Sequence, residues 1–497
     1  MRDKYIELIK EYIKEKPEYK LTLNELKADV LTVGATEEEF DEAIRQVTGL
    51  SDSSKLILDQ PETDSFLGNI LKFTQSAKFH LWARKKYVAV VAFSIILIVI
   101  ISQIRLGDNA KNKEELSVTT PLVKTQAQNK GAIPVVYANQ KSVDPEKIFS
   151  IKSSSVQLTI TGIPKKEVLG FFPYWMLLKQ DKINLSTLTS VSLFGLEVDG
   201  EGNIVTRDQG NEALGGWTMW KDPLLDEFIQ RARNQNLKIY LTLKAFNSSN
   251  IESLTKSDAA QKNLIANALY FVNSKNLDGI NIDFEYVGDP PQETRDGFTR
   301  LITNLNAELK RQVPQSYLTI DTYLVSGSDK GIFNMPLLAQ NSDAFVIMGY
   351  DMHTPLGAPG PVSAMGGDTN IVGYVQNYLE KVDASKLILA VPYYGYDWPN
   401  VSASSSADLV SILPYAEIAE QSKNVQLSWD ETSQTPFFTY KNAGIERIVH
   451  FDNVRSLGIK YDFINRKNLK GVGIWALGYD GQNQDLEKLL IDKFINQ

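Results

Sequence analysis

LDGINIDFEYV, Leu277 to Val287, interleaves an apolar file of Ile280, Ile282 and Phe284 with a polar file of Asn281, Asp283 and Glu285. Successive side chains on a strand point to opposite faces, so this stretch is expected to bury its apolar file against helices and send an amide and two acids into one enclosed space. Burying neighbouring acids costs stability unless they are paired or used, and repulsion with desolvation raises the pKa of one of them. A carboxyl kept protonated near neutral pH is what a general acid requires. The plainer alternative is an acidic pair answered by a lysine or arginine of the same barrel.

Seven further short apolar runs flank this one: VLGFF (168–172), LTSVSLF (188–194), LKIYLTL (237–243), YLTIDTY (317–323), AFVIMGY (344–350), KLILAVP (386–392) and GVGIWAL (471–477). Amphipathic segments such as LLDEFIQRARNQN and DGFTRLITNLNAELKRQV separate several of them. Eight strands alternating with helices predict an α/β fold, a (β/α)8 TIM barrel over residues 167–497 with its site at the C-terminal strand ends. Residues 393–470 are too many for one crossover and predict a small α+β insertion between strands seven and eight, near that site.

The segment DGINIDFE, Asp278 to Glu285, resembles the DGxDxDxE signature of family 18 glycoside hydrolases, the chitinase-like family. FFPYW (171–175) resembles that family's first strand, MGYD (348–351) its sixth, VPYYGYDW (391–398) its seventh, and GVGIWALGYD (471–480) its eighth with the tryptophan. GYDMHTPLGAPGPVSAM (349–365) further resembles the bacterial cell-wall and spore-cortex branch, which acts on N-acetylglucosamine-containing glycans.

The resemblance implies a glycosidase acting on an N-acetylglucosamine-containing polysaccharide, with β-1,4 bonds of peptidoglycan or chitin-like glycan as targets. Glu285 would protonate the glycosidic oxygen and later, as base, activate water. Asp283 would orient the substrate's own 2-acetamido group, which attacks the anomeric carbon in the substrate-assisted variant of retention. Tyr350 would hydrogen-bond the acetamide and Asp351 the sugar, over an apolar floor from Trp475. Tyr174, Tyr393, Asp278 and Asn281 complete the expected substrate-binding set. Asn281 stands where the family usually has Asp, so this file carries one negative charge fewer, and Asp283 is expected to ionise more easily than in Asp-containing relatives. A glycan-binding barrel without catalysis is the alternative; Glu285, Asp283 and Tyr350 all being present favours the enzyme.

Composition narrows the chemistry. The chain has 497 residues, no cysteine and three histidines, His80, His353 and His450, too scattered for an HExxH helix. Thiolate chemistry, disulfides and histidine-based zinc hydrolysis are therefore set aside, and no cofactor or metal is expected. With 52 Lys and Arg against 60 Asp and Glu, and no long basic block, nucleic acid is not expected as a partner.

YVAVVAFSIILIVIISQI, Tyr87 to Ile104, is uncharged and just long enough to cross a hydrocarbon core of roughly 30 Å. Lys78, Arg84, Lys85 and Lys86 precede it, against Arg105 after it. Positive-inside bias then puts residues 1–86 in the cytoplasm and the remainder outside. The expectation is an uncleaved signal-anchor in the cell membrane, single-pass, with the lipid bilayer as partner through residues 87–104. Residues 1–86, with periodic Ile6, Ile9 and Ile13 and later Phe40, Ile44 and Val47, predict a small helical domain. Residues 105–166 carry Pro121, Pro134, Pro145 and Pro164 and no sustained period, and predict a linker or stalk in which SVQLTI (155–160) alternates like a strand.

Overall fold

The computed structural model describes residues 143–152, 158–328, 331–355, 357–399 and 410–496. The expected helical domain (1–86), the apolar run (87–104) and the linker up to residue 142 lie outside them. Among the described residues no helix is long and apolar enough to cross a membrane.

The first eight strands are β1 (Glu167–Pro173), β2 (Ser190–Val198), β3 (Ile204–Val205), β4 (Lys238–Ala245), β5 (Gly279–Phe284), β6 (Tyr317–Tyr323), β7 (Ala344–Met348) and β8 (Leu387–Pro392). Then come β9 (Tyr394–Pro399), β10 (Ser411–Pro414), β11 (Ser428–Asp430), β12 (Thr435–Asn442), β13 (Ile445–His450) and β14 (Gly471–Trp475). Eight of them run parallel in the order β1-β14-β8-β7-β6-β5-β4-β2, and β1 pairs with β2 to close the barrel. Each of the eight apolar runs supplies one barrel strand; the two-residue β3 only folds back antiparallel on β2.

The connecting helices form for legible reasons. Helix Pro223–Asn234 starts with proline in its first turn, Asp222 caps it by accepting from the amide of Leu224, and Leu225, Phe228, Ile229 and Ala232 make one buried stripe. Helix Gln292–Gln312 buries Phe298, Leu301, Ile302, Leu305 and Leu309 at the same spacing. Phe298 lies against Phe284, an apolar-file residue of β5, with ring centroids 6.0 Å apart.

The insertion is a five-stranded antiparallel sheet, ordered β10-β9-β13-β12-β11, with helix Tyr415–Ser422. It has a small core of its own from Leu413, Ile418, Phe438, Val449 and Phe451. Arg447 Nε pairs with Asp397 at 2.9 Å beneath Tyr440, tying β13 to β9. Because β9 begins two residues after Pro392 ends β8, the insertion grows directly from the C-terminal end of a barrel strand.

Part of the expected linker, 105–166, is folded. Helix Pro145–Ser150, capped by Asp144, buries Ile148 and Phe149 in the main core beside the 3-10 segment Tyr174–Lys182, and Lys147 pairs with Glu417. The amides of Thr161 and Gly162 bind Asn496 Oδ1. Pro145 thus starts a helix instead of marking coil, and residues well before 167 belong to the folded unit. Leu158–Ile160, the described part of SVQLTI, form no strand.

Candidate active site

Alternation along β5 acts as expected. Asn281 and Asp283 face the barrel interior, and Glu285 follows at the strand end, where its amide bonds Ala245 O at 2.9 Å and extends the ladder to β4. All three side chains are buried. Asn281 Nδ2 donates to Thr319 Oγ1 at 2.9 Å and to Asp321 Oδ1 at 2.7 Å. Asn281 Oδ1 and Asp283 Oδ1 are buried without a hydrogen-bond partner among the described residues.

Asp321 is a site residue that sequence reading missed. It sits on β6 in YLTIDTY, where Thr319, Asp321 and Tyr323 form a second polar file that alternates with Leu318 and Ile320, the same signal that marked β5. The carboxyl group absent at position 281 is thus present on the neighbouring strand. Burial, then the negative charge of Asp283, raises the pKa of Asp321 well above the ordinary carboxyl range, with the Asn281 hydrogen bond working against them. Asp283 itself is pushed up to about 7 by burial, with the Lys244 ammonium pulling the other way. Glu285 is raised well above its usual range by burial first, then by Asp283, and further by Asp321 and Asp351. Tyr323 stands close enough to lower it, although its hydroxyl lies outside hydrogen-bond geometry.

Lys244, also unforeseen, lies on β4 in register with Asp283. It pairs with Glu197 at 3.3 Å and sits over the rings of Phe194 and Phe246. Burial pulls its pKa down to about 8 against the opposing pull of Glu197, Asp283 and Glu285. This is the cation that the plainer alternative required, but it is bonded to Glu197 and shares its charge among several acids. Its pull on Asp283 is outweighed by burial.

Tyr350 follows β7 and is surrounded by Asp321, Asp351, Asp283 and Glu285, whose charges, after burial, raise its pKa. Asp351 takes the left-handed conformation at φ 56° and accepts from Tyr394 and, at 2.6 Å, from Tyr396. Burial pushes Asp351 up to about 6 while the two tyrosine hydroxyls lower it. Trp475 ends β14 with its ring edge-on to Phe194 at 4.7 Å and within 6.3 Å of Trp175, an apolar floor beside the acids. Tyr174 is half-buried and edge-on to Trp175 at 4.8 Å. Gly215 leaves room for its ring, since a Cβ there would fall 2.1 Å from Tyr174 Cε2.

Two expected substrate contacts lie elsewhere. Asp278 precedes β5, at the N-terminal end of the barrel, where it accepts from the amide of Ile239 at 2.9 Å and pairs with Lys238 at 3.1 Å. It is a strut between strands, on the far side from Glu285. Tyr393 is buried with its hydroxyl 3.2 Å from that of Tyr461, and its amide donates to Trp475 O. Tyr394 and Tyr396 point to Asp351, so alternation turns Tyr393 away. His450 is also structural: it stacks on Phe437 and burial pulls its pKa down to about 4.

A closed parallel barrel with buried acids at the strand ends beside an aromatic floor defines a (β/α)8 glycosidase. Residues 167–480 match the Glycosyl hydrolases family 18, and the chain belongs to that family. It is 25% identical over 265 residues to human (Homo sapiens) di-N-acetylchitobiase, covering 47% of this chain and 68% of that one. It is 26% identical over 272 residues to the cortical fragment-lytic enzyme of Bacillus subtilis, covering 54% of this chain and 62% of that enzyme. The spore cortex-lytic enzyme SleL of Bacillus megaterium shares the fold at a TM-score of 0.54 and 21% identity, over 73% of this chain and 85% of that one. The C-terminal domain of a putative chitinase from Desulfitobacterium hafniense gives 0.56 and 22%, over 66% and 99%.

Proposed function

We propose that this glycosidase cleaves β-1,4 bonds next to N-acetylglucosamine in peptidoglycan or a chitin-like glycan, by a retaining, substrate-assisted mechanism. The observation that carries the reading is the burial of Glu285 beside Asp283, which keeps Glu285 protonated where a leaving oxygen needs a proton. In this reading Glu285 donates to the glycosidic oxygen while the substrate's acetamide oxygen attacks the anomeric carbon from the opposite face. Asp283, as the anion, takes the acetamide N–H and stabilises the cyclic intermediate, with Tyr350 as a second partner. Glu285, now ionised, then removes a proton from the water that opens the ring. Trp475 supplies the apolar surface under the distorted sugar. Similarity to di-N-acetylchitobiase and to the cortical fragment-lytic enzyme supports a substrate of this class.

The second element of the proposal is location. The uncharged run Tyr87–Ile104, with lysines and an arginine ahead of it, supports a single-pass anchor that holds the barrel outside the cell membrane. Retention of the full chain in membranes after alkaline extraction, with the barrel open to protease from outside, is the expected result.

The catalytic test incubates the full chain and Glu285→Gln with purified peptidoglycan and with chitooligosaccharides. Cleavage by the parent and its loss in the variant are expected. Cleavage surviving in Glu285→Gln, or binding by the parent without cleavage, overturns the reading, and the latter makes the barrel a glycan-binding one.

A further inference from the structure

Four ionisable side chains from four neighbouring strands form a row across the barrel. Glu197 on β2 is in register with Lys244 on β4, and Lys244 with Asp283 on β5. The β5–β6 ladder pairs Ile282 with Ile320, which sets Asp321 beside Asp283 one step further on. At one end of the row Lys244 binds Glu197. At the other, Asp321 Oδ1 and Thr319 Oγ1 take both hydrogens of the Asn281 amide. The Asn281 carbonyl oxygen is thereby turned away from β6 and left buried without a donor, as is Oδ1 of Asp283 two residues along the same file. Unpaired buried acceptors are costly, and a proton carried by Asp283 would make it a donor for that carbonyl.

We propose that Asp321 is a positioning residue for catalysis: it locks the Asn281 amide with its carbonyl oxygen available to Asp283, and it sets Asp283 between a carboxyl group on β6 and the Lys244 ammonium on β4. The groups facing Asp283 are Lys244 from β4, Glu285 on its own chain segment, Asp321 and Tyr323 from β6, and Tyr350 after β7. Lys244 favours the ionised form of Asp283. Asp321 favours the protonated form by keeping an acceptor ready for the proton. Removing one should displace the proton equilibrium of Asp283 in the direction opposite to removing the other.

The kinetic arm rests on the glycosidase reading; a titration arm does not. Full-chain Asp321→Asn, which keeps the side-chain shape, Lys244→Met, and the exchange Asn281→Asp with Asp321→Asn are compared with the parent. The first readout is the pH dependence of kcat and KM on chitooligosaccharides; the second is an infrared titration of the carboxyl groups, which needs no turnover. Asp321→Asn should lower kcat on the order of tenfold or more with little change in KM, and move the acid-side midpoint down. Lys244→Met should move that midpoint up. The exchange puts a carboxylate and an amide back in contact and should recover most of the loss. Parental kcat and pH profile in Asp321→Asn, or an exchange variant no better than Asp321→Asn alone, overturns the proposal. If the parent shows no turnover the glycosidase reading fails, and identical carboxyl titrations of parent and Asp321→Asn would then overturn this one.

Discussion

Tyr396 reaches from the inserted sheet to the barrel and donates its hydroxyl proton to Asp351 at 2.6 Å. Tyr394 does the same from two residues earlier, so the insertion, not the barrel, supplies both of the donors that hold this acid. Tyr396→Phe removes one of two hydrogen bonds that favour the ionised form and should raise the pKa of Asp351 further above about 6. Activity at pH 6 should fall by about tenfold and recover in part at pH 8. A pH–rate comparison checks this.

The rate itself should follow a bell-shaped pH profile. Asp283, at about 7, must lose its proton for the acid limb to rise, and Glu285, raised well above its ordinary range, must keep its own for the alkaline limb. Asp283→Asn should lower kcat by roughly a hundredfold or more and remove the step near pH 7 from the acid limb, leaving the lower one set by Asp351. Measuring kcat/KM from pH 5 to pH 9 tests both.

The same buried acids weaken the fold at neutral pH. Asp283, Glu285 and Asp321 all have folded-state pKa values raised above their unfolded ones, so the folded chain binds protons more tightly. Their stabilising contribution is complete below about pH 4 and is lost as pH rises through the folded values. Asp321→Asn should therefore melt higher than the parent at pH 8, by on the order of 5 °C, with the gap closing towards pH 4. Thermal melting at the two pH values gives the answer.

Lys460 and Asp452, both fully buried, bond at 2.5 Å between the helix Val454–Arg466 and the segment that follows β13. Lys460→Met leaves a buried carboxylate alone and should destabilise the barrel by about 3–5 kcal/mol. Adding Asp452→Leu should recover most of it. Denaturant unfolding of the single and double variants separates the outcomes.

The barrel was legible because each strand carries its own signal: an apolar run of strand length bounded by helix or loop sequence. Asp283 and Glu285 were legible for the same reason, as polar residues alternating inside one run. Lys244 and Asp321 were not, although Asp321 sits inside one of these runs and Lys244 directly follows another. Their importance comes from which residues oppose Asp283 on the strands either side, and that register is set by the closure of the barrel, not by local sequence. Asp278 and Tyr393 show the converse. Both lie inside matching motifs, yet one stands at the wrong end of its strand and the other on the wrong face. The early helix at Pro145–Ser150 was hidden because six residues leave no period to detect.

The two residues that β9 aims at Asp351 sit immediately after the strand they extend from, with Tyr393 alone separating Pro392 from Tyr394. Side chains on a strand change face with every residue, so deleting one residue at this junction would turn both tyrosines away and bring Gly395 and Asp397 into their place. Length variation in the inserted domain is thus tolerable only beyond its first strand. Its entry point behaves as part of the catalytic sequence, and a grafted or shortened version of the domain must preserve that spacing to keep the acid at position 351 solvated by protein.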